Sequence, residues 1–350
     1  MKSDPTIVAL LALGSALLLT QLGNGRLWQD EAETAVLGRN TLHYGYPRAF
    51  DGANHLNPAL PVGRGYAWTY HSWLSMYIAA GSFRLLGPNT LAARLPFALF
   101  GLASIGLAYG LMRRLVRDPG IARLALLFLV TSVPFLLHMR QCRYYAPSVF
   151  FSLWTVWAYW RFLHHQRLSG PELILSSVLL FHANHGAFMP VAASLGLHFV
   201  WSGPAGGDRL RVMGVAGAVL ALTLPWMVFL QAEQLHRAFS WEEIRHHLQF
   251  YFRQINRFLV PIVFWSGVSI VLRPPVRILF GAPGTPERQG WRLVGCFIGV
   301  GLLFLILIPE QRHFRYLIHL VPWLTLVQAS LLAWLLKTRR GVGLLLTGVL

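Results

Sequence analysis

Residues 6–23 read TIVALLALGSALLLTQLG, a stretch without a single charged side chain. A run of this length and composition is typical of a helix that crosses a membrane. The residues before it carry little positive charge, because Lys2 is offset by Asp4, and no Ala-x-Ala site follows. A cleaved signal peptide would have a positively charged start and an Ala-x-Ala cleavage site. We therefore interpret 6–23 as a retained first membrane helix.

The rest of the chain is also apolar and strongly basic. Of its 350 residues, 55% are hydrophobic and 12% are charged, with a mean hydropathy of +0.50. Soluble domains carry about 25% charged residues. We therefore expect an all-α polytopic membrane protein with about 10–11 transmembrane helices. The formal net charge is +17, but the Arg residues are spread between apolar runs, which argues against nucleic acid as a partner.

Ten further apolar runs follow the first. They lie near 93–112, 120–138, 147–163, 172–185, 187–202, 212–231, 258–272, 292–309 and 315–336, and from 341 to the end. The sequence shows no internal repeat, so we predict a single transmembrane domain over 1–350. Because the chain ends inside an apolar run, we expect it to be truncated at its C-terminus.

Connectors rich in Arg alternate with less basic ones. The basic set is 112–118, 161–167, 208–211, 273–277 with 287–292, and 337–340. The positive-inside rule places such connectors in the cytoplasm. The N-terminus is then cytoplasmic, and the connector 24–92 lies on the outer face.

Two connectors on the predicted outer side stand out. The first, 24–92, contains WQDEAETA at 28–35, with three carboxylates in four positions, although the whole chain has only 13 acidic residues against 30 basic ones. It also contains an aromatic-rich helix at 70–87 that we expect to lie along the membrane surface. The second, 232–257, repeats apolar residues at three- and four-residue steps, which predicts an amphipathic helix in the membrane interface.

The adjacent acids Asp30 and Glu31 admit two interpretations. Side chains of neighbouring residues on a helix point about 100° apart. One carboxylate could therefore face a cavity as a general base for an alcohol or amine, while the other holds backbone, a metal or an Arg. Acids at a helix start can also serve simply as caps. The spacing leaves both roles open.

The stretch 28–47, WQDEAETAVLGRNTLHYGYP, resembles the first outer loop of the GT-C superfamily. The relevant branch is the protein O-mannosyltransferase and lipid A aminoarabinose transferase group (glycosyltransferase families 39 and 83). Its acidic pair and Gly-x-Pro ending correspond to Asp30-Glu31 and 45–47. The likeness continues through 73–87 and 92–102. Weaker matches follow at QCRYYAP (141–147) and RYLIHLVPWL (315–324), where His319 stands at a position that is often Pro.

This resemblance implies a glycosyltransferase of the outer face of a bacterial inner membrane. The donor would be a polyprenyl-phosphate sugar and the acceptor a lipid, glycan or protein, with membrane lipids as surroundings. Asp30 would act as general base in an inverting displacement, and Glu31 would orient it or hold the loop. Arg side chains suit the leaving phosphate, because they grip its oxygens in a fork. The candidate donor-binding residues are Arg143, Arg315, Arg140, Arg312, Tyr144, His182, His185 and His71.

A divalent cation is the one cofactor that these residues could hold, with Asp30, His55 and His71 as candidate ligands. The chain has Tyr70-His71 where many members of the family have Pro-Pro or His-Pro. Two other functions stay open. A transporter or flippase of lipid-linked sugars would need the cations but not the outer acids, and a non-catalytic envelope-assembly subunit would use the acids as caps only. Almost no acid lies at the centre of an apolar run, which argues against ion-coupled transport.

Overall fold

The computed structural model describes residues 4–58, 60, 62–203, 206–229, 240–272, 284–307 and 312–338. Within these ranges the secondary structure is helical, apart from isolated β-bridges in the loop 48–68. The helices are α1 (Pro5–Leu19), α2 (Gln29–Tyr44), α3 (Leu74–Leu86), α4 (Thr90–Val116), α5 (Pro119–Thr131), α6 (Val133–Met139), α7 (Tyr145–Leu163), α8 (Ser169–Ala183), α9 (His185–Trp201), α10 (Gly206–Phe229), α11 (Trp241–Phe258), α12 (Ile262–Leu272), α13 (Pro286–Leu307) and α14 (Val321–Thr338). Two 3₁₀ helices span Arg64–Tyr66 and Phe314–His319.

Polar caps fix the starts of several apolar helices. The side chain of Asp4 accepts a hydrogen bond from the Thr6 backbone at the start of α1. Asn89, Asp118 and Asn184 cap α4, α5 and α9 in the same way. Each cap satisfies backbone N–H groups that a helix leaves without a partner in its first turn.

Three helices in the described part of the chain, α4, α10 and α13, are long and apolar enough to cross a membrane. The pair α5–α6 bends by 62° and forms either a broken span or a re-entrant loop. The helices α1, α3 and α14 are apolar but shorter. The apolar run from 341 and the connector 273–277 lie outside the described residues. The fold is therefore a polytopic helical membrane protein, and the number of crossings stays a prediction.

The helix α4 forms the centre of the bundle. It packs against α1, α3, α5, α7 and α13. Its inward residues include Phe97, Ile105 and Ala108, each with no exposed surface. Because so many helices meet on α4, residues at its ends can hold several connectors together.

The predicted surface helices are both helical in the structure. α3 covers most of 70–87, and α11 covers the described part of 232–257, whose first residues lie outside the described ranges. α11 buries Tyr251 and Ile255, while Arg245, Arg253 and Trp241 are exposed. The placement of α11 in the outer interface stays a prediction.

The bundle has two chemically different ends. One, called the acidic end below, is the end where α2 and α7 begin and where the 3₁₀ helix Phe314–His319 lies. At the opposite end, Lys337 pairs with Asp118 at 3.1 Å and Arg161 pairs with Glu172. The helix α7 runs from one end to the other. Its 19 residues, at a rise of 1.5 Å each, give a distance of about 28 Å between the ends.

Arg94, near the start of α4, ties the acidic end together. All five of its N–H groups donate hydrogen bonds. Three go to the backbone oxygens of Leu22 (3.3 Å), Asn24 (3.0 Å) and Arg26 (3.1 Å), and two go to the Glu31 carboxylate (2.9 and 2.7 Å). Five N–H groups are the whole donor capacity of a guanidinium. The link from α1 to α2 is therefore fixed to α4 through one side chain.

The first prediction concerns this clamp. Arg94→Met leaves the Glu31 carboxylate, which is 1% exposed, without its cation. Breaking a buried pair in this way costs about 3–5 kcal/mol of unfolding free energy. We expect a clear drop in the thermal unfolding temperature of the purified protein.

Arg39→Met is the matched control, because its partner Asp51 is paired at the surface, with 46% of the Arg39 side chain exposed. Exposed pairs contribute about 0–1 kcal/mol. Equal losses of stability in the two variants would contradict the clamp.

Gly38 brings the acidic helix α2 against α3. A Cβ at this position would lie 2.8 Å from the Ala79 Cβ and 3.1 Å from the Met76 carbonyl oxygen. Backbone cannot move aside as a flexible side chain can. The close approach of the two helices therefore requires glycine here.

The second prediction follows from this contact. Gly38→Ala should destabilise the protein by about 1–3 kcal/mol, the usual cost of overpacking. Gly81→Ala in α3 is the control, because a Cβ there would meet nothing within 4 Å. Alanine is the better helix former by about 1 kcal/mol, so this control should be neutral or slightly stabilising. The measurement is the thermal unfolding temperature of both variants. A Gly38→Ala protein as stable as wild type would refute the tight α2–α3 contact.

Candidate active site

The first turns of α2 present carboxylates on two faces. Asp30, Glu33 and Thr34 share one face, because residues three and four apart are neighbours on a helix. Glu31 points away from them and accepts hydrogen bonds from the backbone N–H groups of Trp28 (3.3 Å) and Cys142 (3.0 Å), besides those from Arg94. Its carboxylate is therefore fully engaged, whereas Asp30 and Glu33 lie on the other face of α2.

Arg143 reaches the Asp30 face from the connector between α6 and α7. One terminal nitrogen, Nη1, donates to Glu33 Oε1 at 2.6 Å, to Thr34 Oγ1 at 3.1 Å and to the Asp30 carbonyl oxygen at 3.2 Å. Only 6% of the side chain is exposed. Its Nε is buried and has no hydrogen-bond partner in the described part of the chain. A buried cation with an unused donor is therefore present beside Glu33.

Arg315 reaches the same face from the 3₁₀ helix Phe314–His319. Its Nη1 donates to Asp30 Oδ2, although 285 positions separate the two residues. The Asp30 and Arg315 side chains are 21% and 23% exposed, so this pair is open to solvent in a way that Glu31 is not. The Arg315 Nε is again buried and unpaired among the described residues.

His71, from the connector before α3, completes the group. Its Nε2 lies 3.4 Å from Arg143 Nη2, and its Nδ1 lies 3.7 Å from Glu33 Oε1. Burial and the neighbouring Arg143 cation lower the pKa of His71 well below its usual value. The imidazole is therefore neutral at pH values around 7 and can take part as a neutral donor or acceptor.

Tyr144 lies on the other side of His71. The two ring centroids are 5.6 Å apart, and the Arg143 guanidinium lies 5.1 Å from the Tyr144 ring centroid. Burial raises the pKa of Tyr144, so its hydroxyl stays protonated. Behind His71, His185 Nδ1 is 3.1 Å from the Ser72 hydroxyl.

The structure thus brings together Asp30, Arg143, Arg315, Tyr144 and His71, with His185 just behind them. The other predicted residues lie elsewhere. Arg140 donates to the backbone oxygens of Leu17 (3.2 Å) and Thr20 (2.5 Å) at the end of α1, and Arg312 is exposed. His182 packs edge-on against Trp226, with ring centroids 5.2 Å apart.

The candidate metal ligands do not form a cluster. Among the described residues, no group of three or more His, Cys, Asp or Glu side chains is arranged to hold a metal ion. His55 packs against Phe50 and Tyr66 in the loop 48–68. These residues therefore do not supply a three-ligand cation site of the usual kind.

A cavity of about 430 Å³ lies at the end of the bundle opposite the acidic end. It is lined by Phe162, Gln166, Leu168, Ser169, Gly170, Pro171, Ile174, Leu210, Arg211, Gly214 and Val215. None of these lining residues carries a carboxylate or an imidazole. The cavity therefore offers no general base that could take a proton from an acceptor.

Two residues of this arrangement, Glu33 and Arg94, were not predicted from the sequence as site residues. Glu33 was visible as the third acid of WQDEAETA, and its spacing of three from Asp30 was the signal that both share a helix face. Arg94 stands in the stretch 92–102, but its partner Glu31 is 63 positions away. No local spacing rule connects residues that far apart.

Comparison with known families and structures adds evidence about the fold. Residues 70–229 match the family model described as dolichyl-phosphate-mannose-protein mannosyltransferase. A comparison with curated proteins finds no match.

Several solved structures share the fold. ArnT from Cupriavidus metallidurans bound to undecaprenyl phosphate superposes with a TM-score of 0.70 at 14% identity, over 98% of this chain and 63% of ArnT. The oligosaccharyltransferase from Archaeoglobus fulgidus in its apo form gives 0.63 at 14% identity, over 99% of this chain and 52% of that protein. The archaeal AglB in complex with an inhibitory peptide and a dolichol-phosphate gives 0.55 at 12% identity, over 95% and 50%.

The chain therefore spans less than two thirds of the length of each of these proteins. It is an integral membrane protein with the polytopic GT-C fold of membrane glycosyltransferases, and its residues 70–229 match the mannosyltransferase family model.

Proposed function

We propose that this protein transfers a sugar from a polyprenyl-phosphate donor to a lipid, glycan or protein acceptor on the outer face of the membrane. The observation that carries the proposal is the meeting of Asp30 and Glu33 with Arg315 and Arg143 at one surface of α2. The fold supports it, because ArnT and AglB have been captured with undecaprenyl phosphate and a dolichol-phosphate.

The two Arg side chains are the proposed phosphate ligands. Each has a buried Nε without a partner among the described residues, so each can add a hydrogen bond to an incoming anion. Each also holds a carboxylate that a phosphate oxygen could replace. The donor phosphate would bind Arg315 in place of Asp30, and the Asp30 carboxylate would then be free in the site. Binding of the donor and exposure of the base are then one event.

The chemical step uses the released Asp30 as general base. It accepts the proton of the acceptor hydroxyl or amine, whose oxygen or nitrogen forms a bond to the anomeric carbon. The bond from that carbon to the phosphate oxygen breaks, and its electron pair leaves with the polyprenyl phosphate. Arg143 and Arg315 stabilise the charge that develops on this phosphate. A direct displacement of this kind inverts the anomeric configuration.

Glu31 is a positioning residue in this scheme. Its carboxylate is held by Arg94 and by two backbone N–H groups, so it fixes the orientation of α2 rather than taking a proton. The basic connectors 112–118, 161–167 and 208–211 lie at the opposite end of the bundle, and the positive-inside rule favours a cytoplasmic location for such connectors. The acidic end would then face the periplasm of a bacterial inner membrane.

The third prediction tests the base. Asp30→Asn should reduce sugar transfer by about 10²–10⁴-fold, the usual contribution of a general base. The measurement is transfer of radiolabelled sugar from a panel of polyprenyl-phosphate sugars to a membrane-lipid extract. The same variant should bind polyprenyl phosphate at least as tightly as wild type, because Arg315 has lost its competing carboxylate.

Asp51→Asn is the matched control, since Asp51 lies in the loop of the same connector and pairs with the exposed Arg39. It should transfer sugar at the wild-type rate. A folded Asp30→Asn protein that still transfers sugar normally would exclude Asp30 as the base.

The fourth prediction separates the Arg candidates. Arg315→Gln should weaken binding of polyprenyl phosphate by about 10–100-fold, since a charge-assisted hydrogen bond contributes about 1.5–3 kcal/mol. Arg140→Gln should leave this affinity within about two-fold, because Arg140 is bound to the backbone at the end of α1. Binding to the purified proteins in nanodiscs measures both. If Arg140→Gln weakened binding and Arg315→Gln did not, the phosphate site would lie at the end of α1 instead.

A further inference from the structure

The loop 48–68, which follows α2, holds a partly buried cation that no acid of the connector 24–92 neutralises. The four carboxylates of this connector are each paired with another Arg: Asp30 with Arg315, Glu31 with Arg94, Glu33 with Arg143 and Asp51 with Arg39. Among the described residues, Arg48 pairs with no carboxylate, and its Nε is buried without a hydrogen-bond partner. Buried polar groups are nearly always paired, so the unpaired Arg48 points to a ligand.

Three aromatic rings lie around the Arg48 guanidinium. Its Cζ is 4.3 Å from the Tyr44 ring centroid, 5.6 Å from that of Tyr66 and 5.9 Å from that of Phe50. The His55 ring lies 5.7 Å from the Tyr66 ring, and its Nδ1 is buried and unpaired in the described part of the chain. Aromatic faces attract a guanidinium without cancelling its charge. The positive charge therefore stays available to an anion.

Tyr66 is held in a backbone conformation that bulky residues rarely adopt. Its φ is 62°, and Gly65 before it has a φ of 66°. The Tyr46 hydroxyl fixes this turn by donating a hydrogen bond of 2.9 Å to the Gly65 carbonyl oxygen. The Tyr66 side chain is nevertheless 43% exposed. Strained residues concentrate at ligand-binding sites, and here the strained conformation presents an accessible ring beside Arg48.

The cluster lies on the same side of α2 as the acids of the proposed active site. Tyr44 follows Asp30 by fourteen residues, which is nearly four turns at 3.6 residues each, so the two side chains point in similar directions. Along the helix axis they are about 21 Å apart, at 1.5 Å per residue. Only an extended ligand could reach both.

We propose that Arg48, Tyr66 and His55 form a second binding site, whose ligand is an acidic saccharide. Guanidinium N–H groups suit a carboxylate or phosphate oxygen. The face of an aromatic ring carries negative charge, so the exposed Tyr66 ring suits the C–H groups of a sugar. The binding site depends only on the residues of this cluster. Its use by an extended acidic acceptor, with the reacting end at Asp30, rests on the proposed function.

The experiment measures binding of three oligosaccharides, without a donor, to the full chain in nanodiscs of neutral lipid. The probes are hexagalacturonate, its uncharged methyl ester and pentamannose phosphate. Wild type should bind the better of the two acidic compounds at least ten-fold more tightly than the ester, and the better one identifies the anion. Arg48→Gln should reduce this preference to about two-fold or less, because it removes a charge-assisted hydrogen bond.

Two further variants separate the charge from the fold of the loop. Arg48→Lys keeps the charge without the planar fork, so it should retain part of the preference for the acidic compound. Tyr66→Leu keeps the cation and removes the ring. It should weaken the acidic compound and the ester by the same factor.

Arg64→Gln is the matched control. It removes the same charge from the same loop, but the Arg64 side chain is exposed. All three affinities should stay within about two-fold of wild type.

Two binding results would overturn the site. Equal affinities of wild type for the acidic compounds and the ester would remove the anion from the ligand. Equal losses in Arg48→Gln and Arg64→Gln would mean that the net positive charge of the loop attracts acidic saccharides without a defined site.

The acceptor role has its own measurement. In the transfer assay with a membrane-lipid extract, an excess of the better acidic compound should inhibit wild type and leave Arg48→Gln uninhibited. Equal inhibition of the two proteins would exclude the acceptor role. A protein that binds the acidic compound through Arg48, yet transfers no sugar from any donor, would overturn the proposed function and leave the binding site standing.

Discussion

Three carboxylates in the first turns of α2 need three cations, and this requirement organises the acidic end of the bundle. Glu31, Glu33 and Asp30 are paired with Arg94, Arg143 and Arg315. Removing a carboxylate from water without such a partner is expensive. Because the three Arg residues come from distant parts of the chain, satisfying the acids also fixes α4, α7 and the 3₁₀ helix Phe314–His319 around α2.

The three pairs differ in how exchangeable they are. Glu31 is almost completely buried, and its Arg94 partner uses every donor it has, so this pair has no capacity left for a ligand. Asp30 and Arg315 are each about one-fifth exposed, and Arg315 keeps an unused Nε. One short acidic stretch therefore contains both a buried pair and a pair that solvent can reach. In the proposed function, the phosphate replaces the Asp30 carboxylate at Arg315, and this replacement leaves the Arg94–Glu31 pair intact.

Several parts of this arrangement could be predicted from residues alone. The apolar runs gave the polytopic helical class, since lipid leaves backbone polar groups no partner except one another. The angular separation of neighbouring residues on a helix predicted that Asp30 and Glu31 would point to different surroundings. Arg143 and Arg315 were selected because a buried phosphate needs such cations. Arg140 was selected by the same reasoning, yet it binds backbone at the end of α1, because flanking sequence does not say which of two nearby Arg residues turns inward.

The sequence by itself determined that this chain enters a membrane repeatedly and that three of its 13 acidic residues lie within four positions, 30–33. Both follow from local properties: the length of an apolar run and the spacing of charges within a few residues. Only the tertiary structure decided which Arg each acid meets, and that Arg143 contacts both Glu33 and the Asp30 carbonyl oxygen. These pairings join residues up to 285 positions apart. They depend on how helices pack around α4, and packing is a property of the whole chain rather than of any short stretch.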